Sequence, residues 1–323
     1  MAIERRRLGR TDIEITALGL GCWQFSRGQG LAGLFWPALS DDVIRGIVAA
    51  ALAGGIGWFD TAEAYGGGAS ERALAAALTA AGVESGQVVV ATKWWPAGRL
   101  AGSIKNTIDE RLRCLQPFGI DLYQIHFPLS LSSIEAQLDA MADLAAAAKI
   151  RGVGVSNFSA AQLRRAQAAL QRRGLALASN QVQYSLVDRR VENNGVLAAA
   201  RELGVTIIAY SPLGQGVLSG KFHDDAAAVA AIHGVRRWRG AFRRRGLERS
   251  RPLVDELRQI AVAHGATPSQ VALAWLTQFS GDTVVAIPGA TRVRHAEESA
   301  GALGLRLNEG ELRALDERSR PFL

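Results

Sequence analysis

The stretch FDTAEAYG, residues 59–66, follows a short apolar run and sets Asp60 and Tyr65 five residues apart. Two later apolar runs end in the same way. ATKWW (91–95) brings Lys93 directly after one of them, and LYQIHFP (122–128) brings His126 after the next. A carboxylate, a phenol, an amine and an imidazole thus emerge at three successive strand ends. Parallel α/β folds collect their chemistry at such ends, so this pattern directs the reading of the whole chain. The same four groups suit proton-coupled reduction of a carbonyl, because an ammonium beside a phenol makes its proton easier to release.

Working outward, short apolar runs alternate with alanine- and leucine-rich stretches of helical period. After an N-terminal hairpin at about 5–15, strands are expected near 16–21, 56–60, 88–92, 121–125, 151–155, 177–182, 205–210 and 283–287. Helices are expected near 41–54, 70–82, 101–116, 132–148, 159–173, 191–203, 252–279 and 292–303, the seventh split before Pro268. Ser40, Ser70 and Thr267 read as helix caps, and Gly204 and Gly265 as left-handed helix ends. Eight βα units predict a parallel sheet closed into a (β/α)8 TIM barrel in a single domain, 1–323, with a doubly wound open sheet as the alternative. Further polar residues fall where strands end: Ser156 and Asn157, Gln181, the Tyr210-Ser211-Pro212 turn, and Pro288-Gly289-Ala290. The connection after the seventh strand, 214–251, is unusually long, which marks a functional lid or a mobile segment.

Composition narrows the function classes. Cys22 and Cys114 are the only cysteines of 323 residues, too few for a secretory disulfide framework. No apolar run is long enough to span a bilayer and the N-terminal stretch lacks a signal-peptide core, so a cytoplasmic protein without membrane contact is expected. The net charge of +7 is concentrated: residues 236–251 hold eight arginines against one glutamate. That cluster has three readings, namely a solvated face, a lid approaching cofactor phosphates, or a polyanion contact. Without a nucleic-acid motif the last ranks lowest, and no nucleic-acid partner is expected. His223, His233 and His264 show no metal-ligand spacing, so no metal is predicted.

FDTAEAYG, ATK, LYQIH, GVSNF, NQVQYS, AYSPLGQGVLSGK and IPGA, in this order from about Leu18 to Glu298, resemble the motifs of the aldo-keto reductase superfamily. The YSPLGQG and IPGA forms are most similar to its microbial and plant-type members. The resemblance implies a catalytic group of Asp60, Tyr65, Lys93 and His126, with Tyr65 as general acid, and NADP(H) lying across the barrel mouth. It implies that Ser156, Asn157 and Gln181 hold the nicotinamide amide while Tyr210 stacks on its ring. The turn of Ser211, Pro212, Leu213, Gly214, Gln215 and Gly216, with Lys221 after it, would wrap the pyrophosphate. Gly289, Ala290, Arg292, Arg294 and Glu298 fall at the adenosine end, where Arg292 or Arg294 would meet the 2′-phosphate. His295 and Ser299 depart from the family pattern there, which leaves NADH as the competing cofactor.

On the substrate side the resemblance implies Trp23, Trp95 and Phe127, with Trp94 nearby, as an aromatic pocket for a small aldehyde or ketone. Trp58 reads as barrel core, and 24–39 as a loop over the pocket. The expected activity is NADPH-dependent carbonyl reduction. A redox-sensing NADP(H)-binding subunit with little turnover is the alternative.

Overall fold

Each of the eight apolar runs becomes a barrel strand or the approach to one. The computed structural model describes residues 4–323. Hairpin strands β1 (Arg5–Arg7) and β2 (Glu14–Thr16) are antiparallel. The barrel strands are β3 (Leu20–Gly21), β4 (Trp58–Asp60), β5 (Val89–Trp94), β6 (Leu122–Ile125), β7 (Gly152–Ser156), β8 (Leu177–Gln183), β9 (Thr206–Tyr210) and β10 (Val284–Ile287). Their order in the sheet is their order in the chain, and all neighbours are parallel. Gly19 and Gly21 donate backbone hydrogen bonds to Ala286 and Pro288 at 2.9 and 3.0 Å, which joins the first strand to the last. This closes the expected barrel and removes the open-sheet alternative.

The crossovers are α1 (Asp41–Ala53), α2 (Ala69–Ala80), α3 (Gly102–Leu115), α4 (Ile134–Ala146), α5 (Ala160–Gln171), and α6 (Arg190–Asn193) followed by α7 (Val196–Leu203). After β9 come α8 (Lys221–Asp224), α9 (Ala226–Ala230), α10 (Arg244–Ala263) and α11 (Pro268–Gln278). After β10 come α12 (Val293–Gly301) and α13 (Glu309–Ser319). Ser40 caps α1, and Thr267 forms a capping box with Gln270 ahead of Pro268, both as expected.

Several expectations require correction. Ser70 is not a cap, since α2 begins one residue earlier behind Gly68. Its hydroxyl instead donates to the Cys22 carbonyl at 2.6 Å and accepts from Thr61 at 2.9 Å. The expected helix at 191–203 breaks at Gly195, which adopts φ 82°. Helix α10 starts at Arg244, well before 252, so the second half of the arginine cluster is helical and Pro252 lies inside the helix. Helix α13 was not foreseen, although Asn308 and Glu311 form a capping box at its start.

One apolar core lies between the sheet and the helices, and a second fills the lower barrel. There Leu8, Ile13 and Ile15 of the hairpin region pack against Trp58, Ala91, Leu122 and Ile208. Trp58 is buried, as its strand parity predicted, and its indole N–H donates to the Thr16 carbonyl at 3.0 Å. A Cβ on Gly19 would stand 2.3 Å from that ring, so only glycine fits there. The hairpin therefore stops the barrel at its N-terminal end and leaves the opposite end to carry the chemistry. No helix among the described residues is long and apolar enough to cross a membrane.

Candidate active site

Strand alternation decides which side chains enter the barrel. On β5, Lys93 points inward, while its neighbours Thr92 and Trp94 point outward to the helices. Lys93 is fully buried. Its ammonium pairs with Asp60 Oδ1, donates to the Thr61 carbonyl at 2.8 Å and approaches the Tyr65 hydroxyl to 3.4 Å. Asp60 Oδ2 accepts from the amides of Gln124 at 2.9 Å and Gln181 at 2.8 Å. A buried ion pair is tolerable when its remaining donors and acceptors are met, and these contacts meet them. Gly154, beside Gln124 in register, makes room for this layer, since a Cβ there would lie 2.9 Å from Gln124 Cγ.

The electrostatics follow from the packing. Burial opposes a charge on Lys93, yet the carboxylate of Asp60 and the Tyr65 oxygen together outweigh it and hold the amine above its ordinary value. Burial raises the Tyr65 phenol, and the Lys93 cation pulls against that rise. Burial, aided by Lys93, holds the His126 imidazole well below its ordinary value, so His126 is neutral near pH 7. Its ring stands edge-on to Tyr65 and Trp95, with centroids 5.6 and 5.4 Å away, and stacks on Phe127 at 5.1 Å.

A second polar group adjoins the first. Ser156 Oγ donates to the Gln181 carbonyl at 2.8 Å, and Asn157, in the left-handed region at φ 63°, donates its amide to Ser156 Oγ at 3.0 Å and to the His126 carbonyl at 3.2 Å. The Tyr210 hydroxyl donates to Asn157 Oδ1 at 3.1 Å. Neither Ser156 nor Asn157 caps α5, because Ser159 does.

One cavity of about 920 Å3 spans both groups. Its walls include Trp23, Asp60, Tyr65, Trp95, His126 and Phe127 at one end, and Ser156, Asn157, Gln181 and Tyr210 beside them. Ser211, Pro212, Leu213, Gln215, Gly216 and Lys221 form one flank, and Gly289, Arg294 and Glu298 the far end. Of the sites predicted from sequence, Lys93 lies behind the wall, against Asp60 and Tyr65, and four others lie elsewhere. Trp94 faces the helical layer, fully buried, with its indole donating to Ser103 Oγ at 3.1 Å. Ala290 is buried in the main core. Gly214 turns from the cavity toward Val187, and Arg292 is an exposed residue preceding α12. Gln181 reaches the cavity, but its amide nitrogen is turned to Asp60 rather than free for a ligand.

The sequence reading missed Gln124, although it sits two residues before His126 and so shares its strand face. It also missed the start of α11, where Thr267, Ser269 and Gln270 reach the cavity. No local signal could have placed them there. The loop 24–39 does cover the pocket, through Leu31, Phe35 and Trp36, and the arginine cluster contributes Arg236 and Arg239.

The cavity fits an extended dinucleotide on its own terms. Buried atoms without hydrogen-bond partners include Gln24 Oε1, His126 Nδ1, Gln215 Oε1 and Arg236 Nε, all on residues lining this one cavity. Buried polar atoms are normally satisfied, so these four leave hydrogen-bonding capacity on the cavity residues, although others of the kind, such as the Tyr123 hydroxyl and Ser179 Oγ, lie away from it. The Tyr210 ring offers a flat face, and Lys221 and Arg294 offer cations for phosphate.

Comparisons with known proteins agree with this geometry. An uncharacterised oxidoreductase of Mycobacterium tuberculosis is 40% identical over 310 residues, covering 96% of this chain and 91% of that protein. The aldo-keto reductase yakc [NADP(+)] of Schizosaccharomyces pombe is 30% identical over 329 residues, covering 98% and 92%. The crystal structure of the thermostable aldo-keto reductase Tm1743, in complex with the inhibitor epalrestat, superposes with a TM-score of 0.77 at 31% identity, covering 98% of this chain and 99% of that one. The model of the aldo/keto reductase family matches residues 17–320. Closed barrel, rim chemistry and these matches together establish that the chain belongs to the aldo/keto reductase family of oxidoreductases.

Proposed function

We propose that this protein reduces aldehydes or ketones to alcohols with NADPH, and that Tyr65 is the proton donor. The observation that carries this reading is the 3.4 Å approach of Lys93 Nζ to the Tyr65 hydroxyl at the edge of the cavity. A substrate carbonyl among Trp23, Trp95 and Phe127 has its oxygen within reach of Tyr65 and His126. Neutral His126 donates a hydrogen bond that polarises and orients that oxygen. A dihydronicotinamide held beside Ser156, Asn157 and Tyr210 would supply the hydride for the carbonyl carbon, leaving the C=O electron pair on the oxygen that faces Tyr65 and His126. Tyr65 then gives its proton to that oxygen, and the Lys93 cation stabilises the phenolate left behind. Asp60 keeps Lys93 charged, and Gln124 and Gln181 keep Asp60 in place.

Asn157 and Ser156 are suited to the nicotinamide amide and Tyr210 to its ring. Arg294 favours the extra phosphate of NADPH over NADH, in line with the name of the fission-yeast relative, while Lys221 suits the diphosphate common to both. Turnover measured with each cofactor checks this preference, and equal or faster turnover with NADH refutes it. Tyr65→Phe keeps the ring and deletes the proton. It should lower kcat by about 10²–10⁴-fold while NADP(H) still binds. Undiminished reduction by this variant would remove Tyr65 from the role.

A further inference from the structure

Arg236 is a charged group buried without a counter-charge. It is only 8% exposed, and among the described residues no carboxylate lies within 4.0 Å of it or of Arg239. Its guanidinium lies on the Trp36 ring at 4.0 Å and near the Phe242 ring at 5.7 Å. One Nη2 donates to the Gln215 carbonyl at 2.7 Å, while Nε is buried with no partner. Burial, then the charge of Arg239, pushes its pKa down to about 10. Such an arrangement is costly unless something supplies the missing negative charge.

The surrounding chain holds it there. Gly234 packs so closely on the loop 24–39 that a Cβ would lie 2.0 Å from the Leu34 carbonyl oxygen, and His233 Nε2 is 3.3 Å from the Gly33 carbonyl. Two loops, one after β3 and one after β9, therefore meet above the cleft with the Trp36–Arg236 stack at the join. Cavity-lining cations are Lys221, Arg236, Arg239 and Arg294; the carboxylates are Glu298 and Asp60, the latter already paired with Lys93. Lys221 feels this crowding: burial, then Arg236, Arg292 and Arg294, lower its pKa. A wall with this excess positive charge suits a polyanion.

We propose that Arg236, assisted by Arg239, takes the diphosphate of the bound dinucleotide and so fastens the Trp36 loop over the cleft; this rests on the reading that a nicotinamide dinucleotide occupies the cavity. The position follows from its tie to Gln215, which adopts φ 57° in the turn that faces the cavity after β9. A guanidinium stacked on an indole keeps its edge donors free for two phosphate oxygens, which an ammonium in the same place could not present in a plane. The loop 24–39 also carries Phe35 onto Trp23, with ring centroids 5.1 Å apart, so a cofactor that holds Arg236 would also steady the aromatic wall of the pocket.

The test is titration of intrinsic tryptophan fluorescence with NADP+ and NADPH at low and high salt, for wild type, Arg236→Met, Arg236→Lys and Arg239→Met. Arg236→Met should weaken binding by about ten- to a hundredfold and flatten the salt dependence, which an uncharged structural role would not alter. Arg236→Lys should fall between, with charge kept and stacking lost. Inorganic pyrophosphate should raise the melting temperature of wild type and leave that of Arg236→Met unchanged. Wild-type affinity and salt slope in Arg236→Met overturn the proposal. So does an effect confined to the KM of carboxylated aldehydes, which would assign the anion to substrate. If Arg236→Met fails to fold, the exposed Arg239→Met decides: a smaller loss with a flatter salt slope supports the proposal, and unchanged binding overturns it. A wild-type chain that binds neither dinucleotide refutes the cofactor reading itself, which is a separate result.

Discussion

A buried ion pair lies against each face of strand β5, and only one of them looks into the cavity. Inside the barrel, Lys93 meets Asp60; outside, Thr92 donates to Glu71 at 2.6 Å, and Glu71 pairs with Arg111 between the sheet and α2 and α3. Both pairs are almost fully withdrawn from water. Their electrostatic outcomes differ. The carboxylate of Asp60 keeps Lys93 charged in spite of burial, whereas burial outweighs Arg111 and raises Glu71 to about 7. The inner pair also has Tyr65 at 3.4 Å from its ammonium, while the outer pair is closed off by packing. Burial of charge is therefore no mark of catalysis on its own; what the charge faces makes the difference.

Removing each cation separates the two pairs most strongly. Lys93→Met should lower kcat by about 10²–10³-fold in a steady-state assay with NADPH and a small aldehyde, because the phenolate of Tyr65 loses its stabilising charge. Retained kcat would make the inner pair as structural as the outer one. Arg111→Met should leave kcat per folded molecule unaltered and lower the unfolding free energy by roughly 3 kcal/mol, measured by urea denaturation. This is the low end for a broken buried pair because Glu71 can take up a proton. A loss of kcat at full stability would show that the outer pair acts on the site.

A smaller effect sharpens the contrast. In the folded chain Glu71 holds its proton up to about pH 7, against an ordinary value of 4.5. Folding thus binds a proton between those values, so Glu71 makes stability fall as pH rises through that window. Glu71→Gln cannot ionise and should flatten that slope in melting temperatures taken from pH 4.5 to 7. An identical slope in the variant would place the titration elsewhere.

The inner pair was legible in the sequence and the outer one was not. Asp60, Lys93 and His126 each stand at the end of an apolar run, where the barrel rim is, so strand period and position sufficed. Glu71 and Arg111 sit on helices forty residues apart, and nothing local says that their side chains meet. Trp94 shows the limit of motif adjacency: next to Lys93 in sequence, it faces the opposite way because side chains alternate along a strand. The arginine cluster resisted for a similar reason. Composition could count its charges, but only tertiary packing separates Arg236, buried against Trp36, from exposed Arg237 and Arg243. Helix α13, by contrast, carries its own local signal in the Asn308–Glu311 capping box.

The N-terminal hairpin has a kinetic corollary. With Leu8, Ile13, Ile15 and Trp58 corking the base, nothing can pass through that end of the barrel. Any molecule that enters or leaves the cavity therefore does so past the loops that line it, Leu31, Phe35 and Trp36 among them.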